Sequence, residues 1–266
     1  MKRLFLFFSF SIFFLINIHP VLAVSNQVIH WGFKKSTNQE PPYAGKELES
    51  ILQKYGAYYL GDTRKKDIYL TFDNGYENGY TAKILDVLKK HDVPAAFFVT
   101  GHYLNDQPEL VKRMVKEGHI VGNHSWSHPD LTKVSEEQFI KELNSVSQRV
   151  EELTGQKGTV YLRPPRGIFS ERTLALSKKY GYQNVFWSLA FVDWKIHHQK
   201  GWQYAYDNIM NQIHPGAIIL LHTVSKDNAE ALDQAIQDLK KEGYRFKSLD
   251  DLMMEKEIEH PYLFSL

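Results

Sequence analysis

The chain has 266 residues, no cysteine, and 32 lysine and arginine residues against 31 aspartate and glutamate residues. The absence of cysteine excludes a disulfide framework and a thiolate metal site, and the balanced, intermixed charge argues against a nucleic-acid partner. The length suits one large domain or two small ones, since an α/β barrel of about 250 residues is an ordinary single domain. We therefore expect a neutral polymer or a small ligand as the partner.

The N-terminal residues have the pattern of an export signal. Lys2 and Arg3 precede an apolar run over 4–18, and Val21-Leu22-Ala23 resembles a small-residue cleavage site. A membrane-spanning helix needs about 20 apolar residues, and this run is shorter. We predict a signal peptide over 1–23 and an exported protein with no stable membrane insertion after cleavage. The alternative is an uncleaved membrane anchor.

Residues 24–66 are irregular, with aromatic residues, Pro41-Pro42 and one amphipathic helix over 45–55. We predict an arm that packs on a catalytic domain over 67–266. No Pro, Gly or Ser-rich linker divides that domain, and we expect a monomer.

From residue 67 onward, short apolar runs alternate with segments of helical period. The predicted strands are 68–72, 95–99, 120–122, 160–162, 185–189, 217–221 and 244–246. The predicted helices are 81–90, 108–117, 135–154, 170–180, 204–213 and 228–241. In the longest helix, Ser135 and Gln138 predict a capping box.

This alternation predicts parallel strands joined by right-handed crossovers, in either a barrel or an open sheet. Polar residues follow nearly every strand, and a barrel gathers all strand ends around one mouth, whereas an open sheet concentrates them at a switch point. We therefore predict an α/β fold with a TIM-like barrel of seven β/α units.

Two histidines follow the third predicted strand with a metal-ligand spacing, His124 and His128. Pro129 argues against a helix at His128, so the pair should lie in a loop or tight turn. Taken alone, this pattern is equally compatible with two histidines in a polar loop.

Other strand ends carry further candidates. Asp73 follows the first barrel strand and is either a base, a ligand or a turn residue before Gly75, while His222 ends the run 217–221 and could exchange a proton near neutral pH. Asp193 could orient such a histidine. The loop Arg163-Pro164-Pro165-Arg166-Gly167 could hold a carboxylate, or it is an ordinary turn.

In chain order, Asp-Asn, His-x3-His, Arg-Pro-Pro-x-Gly, Asp-Trp and Leu-His resemble the motifs of the polysaccharide deacetylase family, also called carbohydrate esterase 4 or the NodB-homology family. The resemblance covers 67–252. The stretches 71–80, 163–167, 191–195 and 31–34 look most similar to the sporulation subgroup that deacetylates N-acetylmuramic acid in peptidoglycan. The resemblance implies a distorted (β/α)7 barrel and peptidoglycan glycan strands as the partner.

The resemblance also implies roles for individual residues. Asp73 would be the catalytic base, His222 the general acid and Asp193 its tuning partner. His124 and His128 would bind a divalent metal, usually zinc, with Asn74 at the position of the third ligand. The implied substrate-binding residues are Arg163, Arg166, Trp194 and Leu220.

Two residues depart from the family pattern. Most members have aspartate at the position of Asn74, and because an amide is neutral we expect weaker zinc binding, which Asn74→Asp should tighten. Much of the family has an aromatic residue at the position of Arg166. A guanidinium suits the lactyl carboxylate of muramic acid, so Arg166 predicts selection of muramic acid that bears no peptide stem. The alternative is a loop arginine that pairs with a nearby acid.

Three other functions remain open. A glycan-binding pseudoenzyme would use Trp126, Trp187 and Trp194 as stacking platforms and would have lost its metal. A glycosidase needs two opposed carboxylates, such as Asp73 and Glu77, and would leave the histidines without a role. A deacetylase of N-acetylglucosamine or chitooligosaccharides belongs to the preferred class.

Export would place the protein in the cell wall or between the forespore membranes.

Overall fold

A curled parallel sheet forms the centre of the computed structural model, which describes residues 24–35 and 37–259; the predicted signal peptide lies outside this part. The strands are β1 (Ile29–His30), β2 (Asp67–Asn74), β3 (Ala95–Val99), β4 (Ile120–Asn123), β5 (Tyr161–Leu162), β6 (Ile168–Phe169), β7 (Gln183–Asn184), β8 (Ile218–His222) and β9 (Arg245–Phe246). The helices are α1 (Lys46–Tyr55), α2 (Thr81–His91), α3 (Gly101–Asp106), α4 (Pro108–Lys116), α5 (Glu136–Thr154), α6 (Glu171–Lys179), α7 (Trp202–Gln212), α8 (Lys226–Lys241) and α9 (Leu249–Glu259).

The sheet has the strand order β7-β5-β4-β3-β2-β8, and β9 adds to β2. All of its pairings are parallel. One stretch of chain meets both edges of this order: β7 pairs with β5, and a few residues later Ser188 and Leu189 bond to β8. The predicted α/β fold is therefore confirmed. The strand predicted over 185–189 is displaced: β7 covers 183–184, and Val185 and Leu189 make isolated pairings.

Alternate side chains along the strands pack into two different apolar clusters. Ile68, Leu70 and Phe72 of β2 belong to the large cluster under the helices, whereas Tyr69 packs inside the barrel with residues such as Phe98 and Ile218. Because side chains along a strand point to alternate faces, this parity continues to the strand end. Asp73 thus lies on the interior face and Asn74 on the helix face.

The predicted helices are present with small shifts at their ends, and α3 and α9 are additional. The capping box predicted at the start of α5 is wrong in one half. Ser135 does accept from the Gln138 backbone N–H, but the Gln138 amide donates to Glu142 instead of reaching back to the cap. No helix in the described residues is long and apolar enough to cross a membrane.

The arm over 24–66 contacts the barrel beside β6, and Tyr58 and Leu60 pair with Val185 and Ala217. Strand β1 pairs with β6 in antiparallel fashion, and Trp31 packs with Phe186 in a separate apolar cluster. The Trp31 backbone N–H donates to the Gly167 carbonyl oxygen over 2.8 Å, and its ring N–H donates to the Trp187 carbonyl oxygen over 3.0 Å. The arm therefore supports the turn that carries Arg166.

Candidate active site

A cavity of about 860 Å³ lies at the carboxyl ends of the barrel strands. Seven of the ten predicted site residues line it: Asp73, His124, His128, Arg166, Trp194, Leu220 and His222. A larger depression, about 1010 Å³, lies near the amino ends of β3 and β4 and contains none of the predicted site residues. The concentration of predicted residues at one mouth is the arrangement expected of a barrel active site.

Asp73 and His222 lie side by side at the ends of two neighbouring strands. They are register partners in the β2–β8 pairing, and both belong to the interior set of their strands. The cavity also receives Leu220, two residues before His222, by the same alternation. The strand ends therefore hold an acid and an imidazole on the same face, within one cavity.

Asp73 is almost fully buried and is held by Arg163. Its Oδ1 accepts from Arg163 Nη1 over 2.9 Å, and its Oδ2 lies 3.5 Å from His124 Nε2. Burial by itself would raise the pKa of Asp73, but the charges of His124, Arg163 and His222 and the hydrogen bond from Arg163 outweigh burial and lower it. Asp73 is thus an ionised carboxylate at neutral pH.

Arg163 lies behind Asp73 and does not line the cavity. Its side chain has no exposed surface, its Nε donates to the Val185 carbonyl oxygen, and its guanidinium stacks 4.1 Å from the Phe98 ring centre. The guanidinium is enclosed by the barrel interior and by Asp73, so it cannot reach a substrate in this arrangement. This position argues against the substrate-binding role predicted for Arg163. Its side chain holds Asp73 instead.

His124 and His128 lie side by side in the loop after β4, with ring centres 4.8 Å apart. The Nδ1 of His124 is 2.8 Å from the Arg163 carbonyl oxygen, which can only accept, so Nδ1 carries the proton and Nε2 is left with a lone pair. Burial lowers the pKa of both rings, that of His128 to about 4 with a further contribution from His124. Both imidazoles are therefore neutral at pH 7.

This state suits metal binding, since histidine ligates as the neutral imidazole and a backbone carbonyl on the other nitrogen commonly fixes the tautomer. Asn74 is placed differently. It is fully buried on the helix face, its Nδ2 donates to Thr223 Oγ1 over 2.8 Å, and its Oδ1 has no hydrogen-bond partner in the described residues. The two histidines thus fit a divalent metal, whereas Asn74 would have to turn from Thr223 to serve as the third ligand.

His222 is held at two points by Asp193. Its Nδ1 lies 2.8 Å from Asp193 Oδ1, and its backbone N–H donates to Oδ2 over 2.8 Å. Burial alone would lower the pKa of His222, but the charge and hydrogen bond of Asp193, together with Asp73, raise it above its ordinary value. Asp193 lies behind His222, and His222 is poised to carry a proton into the cavity.

Arg166 and Trp194 form exposed parts of the cavity wall. Arg166 occupies the left-handed backbone region at φ 56°, inside the short turn Pro165–Gly167 that the arm supports. Trp194 is 45% exposed, and its ring centre is 5.4 Å from that of His222. Both side chains can therefore meet a ligand that enters from solvent.

The cavity also contains residues that the sequence did not single out for it, among them Tyr76, Thr100, His102 and Val224. Trp126 lines it as well, and Gly101 packs so closely against this ring that an added Cβ would lie 2.3 Å from it. A tryptophan between the two histidines of the motif was a visible signal for this wall. Asn228, which donates to Asp193 Oδ2 over 2.6 Å, gave no such signal, because it lies in the first turn of α8.

An ionised carboxylate and an imidazole with a raised pKa, on neighbouring strands at one cavity, are the groups that acid–base hydrolysis needs. A profile of the polysaccharide deacetylase family matches residues 60–185. The chain is 64% identical over 241 residues to the peptidoglycan-N-acetylmuramic acid deacetylase PdaA of Bacillus subtilis, covering 91% of this chain and 92% of the relative. It is 72% identical over 259 residues to an uncharacterized 30.6 kDa protein of Geobacillus stearothermophilus, with 97% and 98% covered.

Solved structures agree with these similarities. The structure of B. subtilis PdaA, a family 4 carbohydrate esterase, aligns with a TM-score of 0.87 over 88% of this chain and 100% of its own. A family 4 carbohydrate esterase from Bacillus anthracis is 57% identical and aligns with a TM-score of 0.75 over 88% of this chain and 99% of its own. The chain belongs to the polysaccharide deacetylase family, which confirms the predicted family, its fold and its enzymatic class.

Proposed function

We propose that this protein removes the acetyl group from N-acetylmuramic acid residues of peptidoglycan glycan strands, leaving acetate and a free amine on the sugar. The observation that carries this proposal is the pair Asp73 and His222, register partners at one cavity whose pKa values are shifted in opposite directions. Such a pair supplies a base and an acid at the same pH. The similarity to PdaA supports the choice of muramic acid.

The reaction can be assigned to residues of the chain. Asp73, fixed by Arg163, takes a proton from a water molecule whose oxygen attacks the acetamide carbonyl carbon. When the carbon–nitrogen bond breaks, His222 gives its proton to the departing nitrogen, and the negative charge of Asp193 stabilises His222 while it holds that proton. A divalent metal held by His124 and His128, with zinc the expected ion, would polarise the carbonyl when bound.

The selection of muramic acid is assigned to Arg166. Muramic acid differs from glucosamine by a lactyl ether, and a guanidinium binds a carboxylate with two parallel hydrogen bonds. Arg166 is exposed, lines the same cavity as the acid and the base, and has no ion pair with an acid in the described part of the chain. Trp194 and Leu220 supply apolar wall for the sugar face and the acetyl methyl group.

The free amine left on the sugar fits a role in the spore cortex. A free amine beside a lactyl carboxylate can close to a six-membered lactam, the modification associated with spore cortex in the resembling subgroup. Export under the signal predicted over 1–23 would bring the protein to the cell wall or to the space between the forespore membranes. The relatives named as peptidoglycan deacetylases support a cell-wall substrate.

The test is mass spectrometry of muropeptides after incubation of purified protein with glycan strands, with and without peptide stems, alongside an acetate assay. We expect acetyl loss from muramic acid on strands without stems, and none with Asp73→Asn. Acetyl loss from glucosamine would assign the alternative substrate. No acetate release with added zinc would support a glycan-binding pseudoenzyme. Arg166→Tyr should lose activity on stem-free strands, and unchanged activity would remove the role of Arg166.

A further inference from the structure

Glu142 is a buried carboxylate that the acid–base pair does not use. It lies in α5, it is 4% exposed, and no cation is in ion-pairing distance among the residues that the structure describes. A carboxylate taken out of water without a cation is costly unless several hydrogen bonds compensate it. Its position therefore requires an explanation from what it contacts.

Both oxygens of Glu142 bind the loop that carries the two site histidines. Oε2 accepts from the Ser127 backbone N–H over 2.7 Å, and Oε1 accepts from the Ser127 hydroxyl over 2.8 Å. The Gln138 amide also donates to Oε1 over 3.0 Å. Ser127 directly precedes His128, so the carboxylate fixes the backbone next to that imidazole.

The loop needs this support because its backbone is strained at two positions. Ser125 and His128 have φ values of 62° and 57°, in the left-handed region that side chains other than glycine rarely adopt. Such conformations persist only where the surroundings impose them. Asn123 holds the first, since its Oδ1 accepts from the Ser125 backbone N–H over 2.9 Å.

The other backbone contacts of the loop leave His128 dependent on Ser127. The His124 N–H donates to the Val99 carbonyl oxygen, and the Trp126 carbonyl oxygen accepts from the Gly101 N–H, so the first half of the loop is fixed to β3 and α3. In the second half, the contacts that hold Ser127 come from Glu142. Pro129 follows His128 and has no N–H to donate.

We propose that Glu142 is a positioning residue: by binding Ser127 it holds His128 in the left-handed conformation that turns the imidazole into the cavity beside His124. The kinetic consequence rests on the proposed function, whereas the conformational consequence does not. The isosteric variant Glu142→Gln tests both, because its amide keeps the shape while its NH2 group, at either oxygen position, meets a donor: the Ser127 backbone N–H or the Gln138 amide.

Three measurements separate positioning from simple stability. A crystal structure of Glu142→Gln should show His128 outside its original φ region or its imidazole displaced from His124. Titration with zinc chloride by calorimetry should show affinity lowered roughly tenfold or more, as for outer contacts of a metal ligand. In acetate release, kcat should fall about tenfold or more with little change in KM, at a temperature well below the unfolding midpoint.

Glu151→Gln on the same helix is the matched control, because Glu151 is exposed, and it should change none of these quantities. If Glu142→Gln does not fold, Ser127→Ala removes one of the two bonds without altering the buried helix position and should shift zinc affinity in the same direction by less. An unchanged His128 conformation in the crystal structure overturns the proposal. Absence of acetate release by the wild-type protein would overturn the proposed function instead, and the structural measurement would still decide the role of Glu142.

Discussion

Arg163 donates from Nη1 to Asp73 Oδ1 over 2.9 Å, and the guanidinium has no exposed surface. A buried ion pair of this kind contributes little as a pair, but removal of one partner leaves the other charge buried and uncompensated. The Arg163 side chain therefore holds the carboxylate of Asp73, the proposed base, in place from inside the barrel.

We expect Arg163→Met to destabilise the protein by about 3–5 kcal/mol and to raise the pKa of Asp73. In the wild-type protein the lowered pKa of Asp73 contributes stability above the unfolded-state pKa, and this contribution is lost as the pH falls through the folded-state pKa. In the variant, the acidic limb of kcat against pH should move to higher pH. Lys112→Met, in an exposed pair with Glu109, should cost no more than about 1 kcal/mol. An unmoved acidic limb would mean that Asp73 is not the base.

Asp193→Asn should move the basic limb of the activity profile to lower pH. Asp193 raises the pKa of His222, and a general acid is active only while it is protonated, so activity falls as the pH rises through that pKa. Without the carboxylate, the pKa of His222 drops and the fall begins earlier. The measurement is kcat from acetate release across pH, with Asp207→Asn on the exposed side of α7 as the control. A basic limb that stays in place would show that another group donates the proton.

Asn74→Asp should tighten zinc binding by about tenfold or more, because a carboxylate adds a charge that the amide lacks. The new side chain must turn from Thr223 toward the histidines to do so. Calorimetric titration with zinc chloride measures this affinity. Thr223→Val removes the hydrogen bond that competes for Asn74, and the zinc affinity of this variant should equal or slightly exceed that of the wild-type protein. Equal affinities for wild type and Asn74→Asp would keep residue 74 on the helix face and leave the metal with two protein imidazoles.

Gly101→Ala should disturb the cavity wall at Trp126. The added Cβ would lie 2.3 Å from the indole, so the ring or the start of α3 must move, at a cost of about 1–3 kcal/mol. We expect a higher KM for glycan strands and a lower unfolding midpoint. Gly32→Ala is a suitable control, since an added Cβ there has no neighbour within 4 Å. A normal KM for Gly101→Ala would show that Trp126 does not contact the substrate.

His119→Leu should stabilise the protein, more so in acid. Both ring nitrogens of His119 are buried without hydrogen-bond partners in the described residues, and burial lowers its pKa. At a pH below the ordinary histidine pKa, His119 is therefore protonated in the unfolded chain but not in the folded chain. The free energy of unfolding falls as the pH drops from that pKa toward the lower folded-state pKa. Urea unfolding at pH 5 and pH 7.5 should show a gain of about 1 kcal/mol or more at the higher pH and a larger gain at the lower. Equal gains at both pH values would show that His119 does not titrate.

The strand ends were predictable because the hydrophobic runs are short and stop at polar residues. The two-residue period of a strand also carries information about direction: Asp73 follows the interior set Tyr69 and Thr71, and Asn74 follows the set that packs under the helices. Parity could therefore have warned that Asp73 and Asn74 face opposite ways. What parity cannot supply is the partner of each side chain.

Those partners come from long-range packing. Glu142 looks like one more acid on an amphipathic helix, and only the docking of α5 against the histidine loop reveals its role. Arg163 looks like part of a substrate loop, and its burial follows from Phe98 and the carbonyl groups of Val185 and Phe186, which approach only when the barrel closes. Neither contact is encoded in local spacing.

The hydrogen bond from Trp31 to Gly167 joins the beginning of the described chain to a turn far along it. A contact between such distant segments costs loop-closure entropy, which must be offset by the contacts that form with it. If the protein is threaded through the membrane from its N-terminus, the arm emerges first and has nothing to bind until β6 follows. The turn that carries Arg166 would then gain this support once β6 and Trp187 have emerged, before β8 brings His222 to the cavity.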